Sequence, residues 1–175
     1  NDIYGSASGV NAIIGCPRFL MKPELLKIAG AQLQWVHALG AGIDTYLFKE
    51  FVESNIILTN GKIIQGPEVA DHALALLLML TRNLHFYVNQ SKSPREVIPR
   101  PIELRGKTAV VIGGGGGIGM LIAERLSSFG MKVISIEDKM INMVSFIQEQ
   151  HPIDRLFDVI PLGDVIIMAA PLTKI

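Results

Sequence analysis

The residues best suited to chemistry lie between Thr108 and Asp138, in the run TAVVIGGGGGIGMLIAERLSSFGMKVISIED. An apolar strand leads into five glycines, Gly113 to Gly117, then Ile118, Gly119 and a helical stretch to about Phe129. The spacing G-x-G-x-x-G fits Gly114, Gly116 and Gly119, with Gly115 and Gly117 inside the same turn. In such a turn the first glycine permits a tight bend and the second lets the main chain touch a pyrophosphate. The third lets helix and strand approach closely. Free N–H groups at the helix start, near Gly117 and Ile118, would meet the phosphate charge. Glu137 stands eighteen residues past Gly119, at the end of the next strand, with Asp138 beside it. A carboxylate there can accept hydrogen bonds from both hydroxyls of an adenosine ribose, each worth roughly 1.5–3 kcal/mol. It would repel a 2′-phosphate, so NAD is expected over NADP, with Lys139 the one residue able to soften the preference. Five consecutive glycines also allow the turn to begin at Gly113 and Gly115, which would put Ile118 where a glycine is expected.

The other reactive side chains form no comparable constellation. His37 lies in an apolar strand and reads as a packed core histidine; His72 opens a helix, and His85 and His151 read as surface or boundary positions. None pairs with a carboxylate at a helpful spacing, and no His or Cys stands at metal-ligand spacing with another. Arg82 reads as a solvated or ion-paired helix residue. The single cysteine, Cys16, reads as a small core side chain; one cysteine makes no internal disulfide, which fits a reducing, cytoplasmic compartment.

The elements that must position the glycine turn follow from periodicity and punctuation. Val10–Cys16, Leu33–Ala38 and Asn55–Thr59 read as strands, and Pro23 starts a helix that stops at Gly30. A long helix is expected from Gly66-Pro67 to about Leu84. Val69, Ala73, Leu76, Leu77, Leu80 and Leu84 form one apolar stripe, and Ala70, Leu74 and Leu78 a second. A helix apolar on two sides must be covered on two sides, as a wall between lobes or between subunits. Ser91–Pro101, with three prolines, reads as a linker and as the boundary between lobes. Beyond it come strands Lys107–Ile112, Lys132–Ile136 and Asp164–Ala169. Helices are expected over Ile118–Phe129, Ile141–Gln150 and Arg155–Ile160. Strands apolar throughout, alternating with helices, predict parallel sheets covered on both faces.

Composition sets the outer bounds. The chain of 175 residues is 49% hydrophobic and 18% charged, which excludes disorder as its main state. Sixteen Lys and Arg balance sixteen Asp and Glu, so no basic surplus favours nucleic acid. The longest apolar run, Ala73–Leu80, falls short of the ~20 residues of a membrane span, and no membrane partner is expected. Asn1 to Gly5 form neither a basic nor an apolar region, so no signal peptide is expected there. A first residue that is not Met, and an end directly after an apolar run, suggest a fragment.

Four segments, in order, resemble the D-isomer-specific 2-hydroxyacid dehydrogenases. LQWVHALGAGIDTYL (Leu33–Leu47) is similar to their substrate loop, and ILTNGKIIQGPEVADHALALLLMLTRNL (Ile57–Leu84) to the run into their interdomain helix. ELRGKTAVVIGGGGGIGMLIAERLSSFGMKVI (Glu103–Ile134) is similar to their cofactor turn, and DVIIMAAPLTK (Asp164–Lys174) to the next strand with its Pro-Leu-Thr loop. The resemblance implies an α/β chain: a flavodoxin-like substrate lobe over 1–100, and the first half of a Rossmann cofactor lobe, a doubly wound parallel sheet, over 101–175. It implies hydride transfer between NAD(P) and a 2-oxo/2-hydroxy acid, and a homodimer. Carried over by position, the main chain of Gly40, Ala41, Gly42 and Ile43 would face the substrate carboxylate. Gly114 to Ile118 would hold the pyrophosphate and Glu137 the ribose, with Ala170 and Pro171 along the cofactor. The glycine turn has one residue more than is usual in the family. The family's catalytic Arg, acid and His follow the Pro-Leu-Thr loop, past Ile175, so no catalytic residue is assigned and the 175 residues alone are expected to be inactive. Two other readings stand beside the enzyme: an NAD-sensing interaction protein of the corepressor type, and a truncated product with no stable function.

Overall fold

A computed structural model describes residues 3–90 and 99–171. Most of the proline-rich segment, 91–98, and the end of the Pro-Leu-Thr loop lie outside them. The chain divides into two compact units, Asn1–Gln65 and Gly66–Ile175.

The first unit holds α1 (Ile3–Ser6), β1 (Ala12–Ile14), α2 (Pro23–Ala29), β2 (Trp35–Ala38), α3 (Lys49–Val52) and β3 (Ile57–Asn60). Its strands pair in parallel in the order β1-β2-β3. Pro23 does open α2, and Gly30, at φ +82°, ends it in the left-handed region that a side chain would resist. Val36 and Ala38 alternate toward one face, where they meet Leu25 and Ala29 of α2, Met21, Tyr46 and Phe51. The opposite face differs from expectation: Ile14, Trp35 and Ile57 remain 61%, 38% and 63% exposed. There Thr59 Oγ1 accepts from Trp35 Nε1 at 2.8 Å and meets His37 Nδ1 at 2.8 Å. His37 is therefore a half-buried, hydrogen-bonded side chain and not a packed core histidine.

The second unit holds α4 (Gly66–Thr81), α5 (Leu84–Gln90), β4 (Thr108–Ile112), α6 (Gly117–Ser128), β5 (Lys132–Glu137), β6 (Glu149–Pro152), α7 (Leu156–Val159) and β7 (Val165–Met168). Its parallel sheet has the order β6-β5-β4-β7. The continuous apolar run of β4 is explained by burial on both faces. Ala109 and Val111 join a core with α4 and α6, whereas Val110 and Ile112 join one with Ile134, Ile136 and Val159. Each such Val or Ile, withdrawn from water, stabilises the fold by roughly 1.5–3 kcal/mol.

Within the second compact unit, α4 buries Ala70, Leu74 and Leu77 in the same core as Ile122 and Leu126 of α6. Two helix expectations change here. The long helix stops at Thr81, and Leu84 opens a separate helix. Asn83 takes φ +57° between them and donates from Nδ2 to Pro99 O at 2.7 Å. Residues 141–148 form no helix and lead instead into β6. That segment, INMVSFIQ, is rich in residues of low helix propensity. Its backbone needs are met otherwise: Gln148 N donates to Val133 O at 3.0 Å and Ile141 N to Gln150 Oε1 at 3.0 Å. His151 also differs, since its Nε2 lies 3.3 Å from Glu149 Oε2. Lys132 and His151 together hold the Glu149 carboxyl below the usual range.

Asp164 fastens the start of β7 to β4. Its Oδ2 accepts from Thr108 N at 2.9 Å and its Oδ1 from Lys107 Nζ at 3.0 Å. The Thr108 amide and the Lys107 ammonium lower its pKa. A carboxyl lowered on folding adds stability above the aspartate range of the unfolded chain, and that stability is lost as pH falls through the folded value. Asp164→Asn is thus expected to lower Tm at neutral pH and to flatten its acid-side decline. Thermal melts between neutral pH and pH ~3 test this.

Candidate dinucleotide site and substrate loop

The glycine turn sits at the carboxyl end of β4, the strand on which the connections reverse direction: β5 and β6 lie to one side and β7 to the other. Open α/β sheets present a crevice at such a switch point. Gly113 leaves β4 at φ +83°, donating from its N–H to Ile136 O at 2.8 Å. A Cβ on Gly113 would lie 2.9 Å from Ala170 N, so the ends of β4 and β7 nearly touch there. The third close-packing glycine is Gly119: a Cβ there would overlap Gly113 O and stand 2.8 Å from Gly113 C. The close helix–strand contact thus falls at Gly119, and the chain bends at Gly113.

Gly116 precedes α6 and accepts from Met120 N at 2.7 Å. The amides of Gly117, Ile118 and Gly119 come ahead of that first helical bond, where a helix has no internal partner for them. A Cβ on Gly116 would meet only Gly113 O, at 3.4 Å, so the open side of the turn lies at this residue. A pyrophosphate fits the arrangement: room at Gly116, free amides behind it and the positive end of a helix dipole. Ile122 and Leu126 seat α6 on the sheet, while Phe129 is 41% exposed.

Glu137 ends β5, on the α6 side of the sheet with Val133 and Ser135. Its carboxylate does not face open solvent. Oε1 accepts from Gly115 N at 2.5 Å and also from Ser135 Oγ. Asp138 is exposed, and Pro171, one residue past Ala170, is exposed as well. The second unit therefore brings Gly114–Gly119, Glu137, Asp138, Ala170 and Pro171 to one end of its sheet.

In the first unit, Gly40, Ala41, Gly42 and Ile43 form the loop after β2. Asn60 Nδ2 donates to Ala41 O at 2.7 Å, and Gly61 N donates to Ala38 O at 2.9 Å and to Gly40 O at 3.3 Å. A cavity of about 200 Å³ beside the loop is lined by Cys16, Arg18, Gly40, Gly42 and Tyr46. Arg18 Nη2 lies 3.0 Å from where a Cβ on Gly42 would sit. Arg18 and Asn60 escaped the sequence reading. Nothing in the sequence around Arg18 marks it. Burial raises the Cys16 thiol pKa, which makes it a weak nucleophile at neutral pH. Among the described residues, no three His, Cys, Asp or Glu side chains gather to hold a metal, and no helix is long and apolar enough to cross a membrane.

Fold and turn together define an α/β protein with a Rossmann-type unit. Residues 74–175, more than half of the chain, match the family model "D-isomer specific 2-hydroxyacid dehydrogenase, NAD binding domain". The D-3-phosphoglycerate dehydrogenase of Methanocaldococcus jannaschii is 29% identical over 154 residues, 87% of this chain and 28% of the relative. The glyoxylate reductase of Pyrococcus furiosus is 30% identical over 154 residues, 82% of this chain and 45% of the relative. The crystal structure of a D-isomer specific 2-hydroxyacid dehydrogenase family protein from Aeromonas salmonicida superposes with a TM-score of 0.82 at 27% identity, over 94% of this chain and 51% of that one. The chain belongs to the D-isomer specific 2-hydroxyacid dehydrogenase family. It spans about half the length, or less, of these relatives.

Proposed function

We propose that the chain holds NAD on its second unit and contributes a substrate loop from its first, within an enzyme that transfers hydride between NAD(H) and a 2-oxo/2-hydroxy acid. The observation that carries this reading is the match of 74–175 to an NAD-binding domain, with the open glycine turn at the switch point of its sheet. When bound, the nicotinamide supplies the hydride donor or acceptor. The chain's own part is binding and orientation. Amides at Gly117 and Ile118 take the pyrophosphate, and Gly116 gives it room. The carboxylates at the end of β5, Glu137 and Asp138, favour NAD over NADP by repelling a 2′-phosphate. Ala170 and Pro171 lie along the cofactor. In the first unit, main-chain groups of Gly40, Ala41, Gly42 and Ile43 take the carboxylate of the 2-oxo acid, steadied by Asn60. Residues 1–100 serve as the substrate lobe with its long helix, and 101–175 as the cofactor lobe. The working compartment is the cytoplasm.

Calorimetric titration with NADH and NADPH tests the cofactor. NADH is expected to bind at least tenfold more tightly than NADPH, and uptake of neither would sink the reading. The chain alone is expected to bind NADH without reducing glyoxylate or pyruvate at enzyme-like rates, since that step also needs a proton donor near neutral pKa and a cationic fork.

The homodimer is proposed for the stripe of α4 that the second unit leaves uncovered. Leu76 and Leu80 are 48% and 64% exposed, and Leu84, which opens α5, is 45% exposed. Grouped leucines so exposed favour association. Replacing Leu76 and Leu80 together by Glu is expected to give a monomer by sedimentation, with the fold of the second unit intact because both side chains lie off its core.

A further inference from the structure

Five glycines in a row have more conformational freedom than any other five residues, so a turn built from them keeps its shape only if something outside it holds on. The protein supplies such a hold from β5. Glu137 is 7% exposed and Ser135 is fully buried, and both lie directly beneath the turn. Glu137 Oε1 accepts from Gly115 N at 2.5 Å and from Ser135 Oγ. A Cβ on Gly115 would stand 3.1 Å from Glu137 Cδ, and one on Gly114 would stand 2.6 Å from Ser135 Oγ. The turn therefore packs against these two side chains, with Ile141 Cγ2 2.8 Å from a Cβ at Gly115 closing its flank.

We propose that Glu137 and Ser135 form a clasp that fixes the glycine turn before any nucleotide arrives. Glu137 is then a positioning residue for the phosphate cradle, and not solely a reader of the ribose. This rests on the cofactor reading above only where nucleotide affinity is concerned; the clasp itself is a property of the free protein.

A carboxylate oxygen has two lone pairs, and Oε1 uses one on the Gly115 amide and the other on the Ser135 hydroxyl. A ribose reader and a clasp fail differently. Removing a reader changes discrimination between NADH and NADPH. Removing a clasp loosens the amides that meet the pyrophosphate, which both nucleotides share, so both affinities fall by the same factor. Ser135 separates the two cases cleanly, since a fully buried hydroxyl touches no nucleotide.

The test is amide hydrogen exchange by NMR on the 175-residue chain without nucleotide, followed by NADH and NADPH titrations. In Ser135→Ala and Glu137→Ala the Gly115 amide is expected to exchange about tenfold faster or more, with Val110 unchanged, as befits loss of a bond to a charged acceptor. Both nucleotides should weaken severalfold in Ser135→Ala, with their affinity ratio kept within about twofold. Glu137→Gln, which retains an acceptor at Oε1, is expected to keep the Gly115 amide protected, and it stands in if Glu137→Ala does not fold. Unchanged Gly115 exchange in Ser135→Ala would overturn the clasp, as would a tenfold change in the NADH to NADPH ratio in that variant. If the unaltered chain takes up neither nucleotide, the cofactor reading falls while the exchange measurement still decides the clasp.

Discussion

Gly119→Ala is expected to destabilise the second unit by about 2 kcal/mol or more and to weaken NADH binding at least tenfold. Its Cβ would overlap Gly113 O and press on Gly113 C and Gly114 Cα, at 2.8 and 3.0 Å. All three atoms are main chain, so no rotamer change relieves the clash. Overpacking of this kind costs about 1–3 kcal/mol or more. The opposing gain, Ala over Gly inside a helix, is only about 1 kcal/mol. The clash therefore wins, and α6 must move off β4, taking the amides at its start with it. Gly116→Ala makes the contrast. A Cβ there meets only Gly113 O at 3.4 Å, and the residue sits at φ −77°, which any amino acid adopts. It should leave stability within about 1 kcal/mol and still lose NADH, because the methyl fills the space the pyrophosphate needs. Chemical denaturation and NADH titration of the two variants separate the effects. Equal stability for both would show that Gly119 is not the packing point.

Gly61→Ala is the corresponding change in the first unit. Its Cβ would overlap Leu39 O and lie 3.1 Å from Leu39 C, again main chain. Gly61 N also donates to Ala38 O at the end of β2 and to Gly40 O in the loop after it. The expected loss is about 1–3 kcal/mol, with faster amide exchange across 39–43. Asn60→Ala removes a single bond to Ala41 O and should cost nearer 1 kcal/mol. If Gly61→Ala costs no more than Asn60→Ala, the close approach of the two loops is not what shapes Gly40–Ile43.

The strands and the glycine turn were legible because each rests on local physics. β4 reads as buried from its unbroken TAVVI, and α2 is bounded by Pro23 and Gly30, whose backbone preferences act without neighbours. The same local reading misplaced 141–150 as a helix, where Gln148 and Gln150 satisfy main-chain amides from a distance that periodicity does not encode. It also ran α4 through to Leu84, past Asn83, whose left-handed turn is secured by Pro99, far along the chain.

By itself, the sequence determined that a parallel α/β protein would carry an anion-binding glycine turn followed, one strand later, by an acid. Glycine's missing side chain, helix-end amides and alternating apolar residues are properties of the residues themselves. Tertiary structure alone decided which glycine closes the turn, that Glu137 points into it beside Ser135, that α4 joins the second unit, and that Asn60 and Gly61 hold the loop after β2. Those outcomes depend on contacts between segments distant in the chain, set by which faces pack and by where strand ends meet, and no local spacing records them.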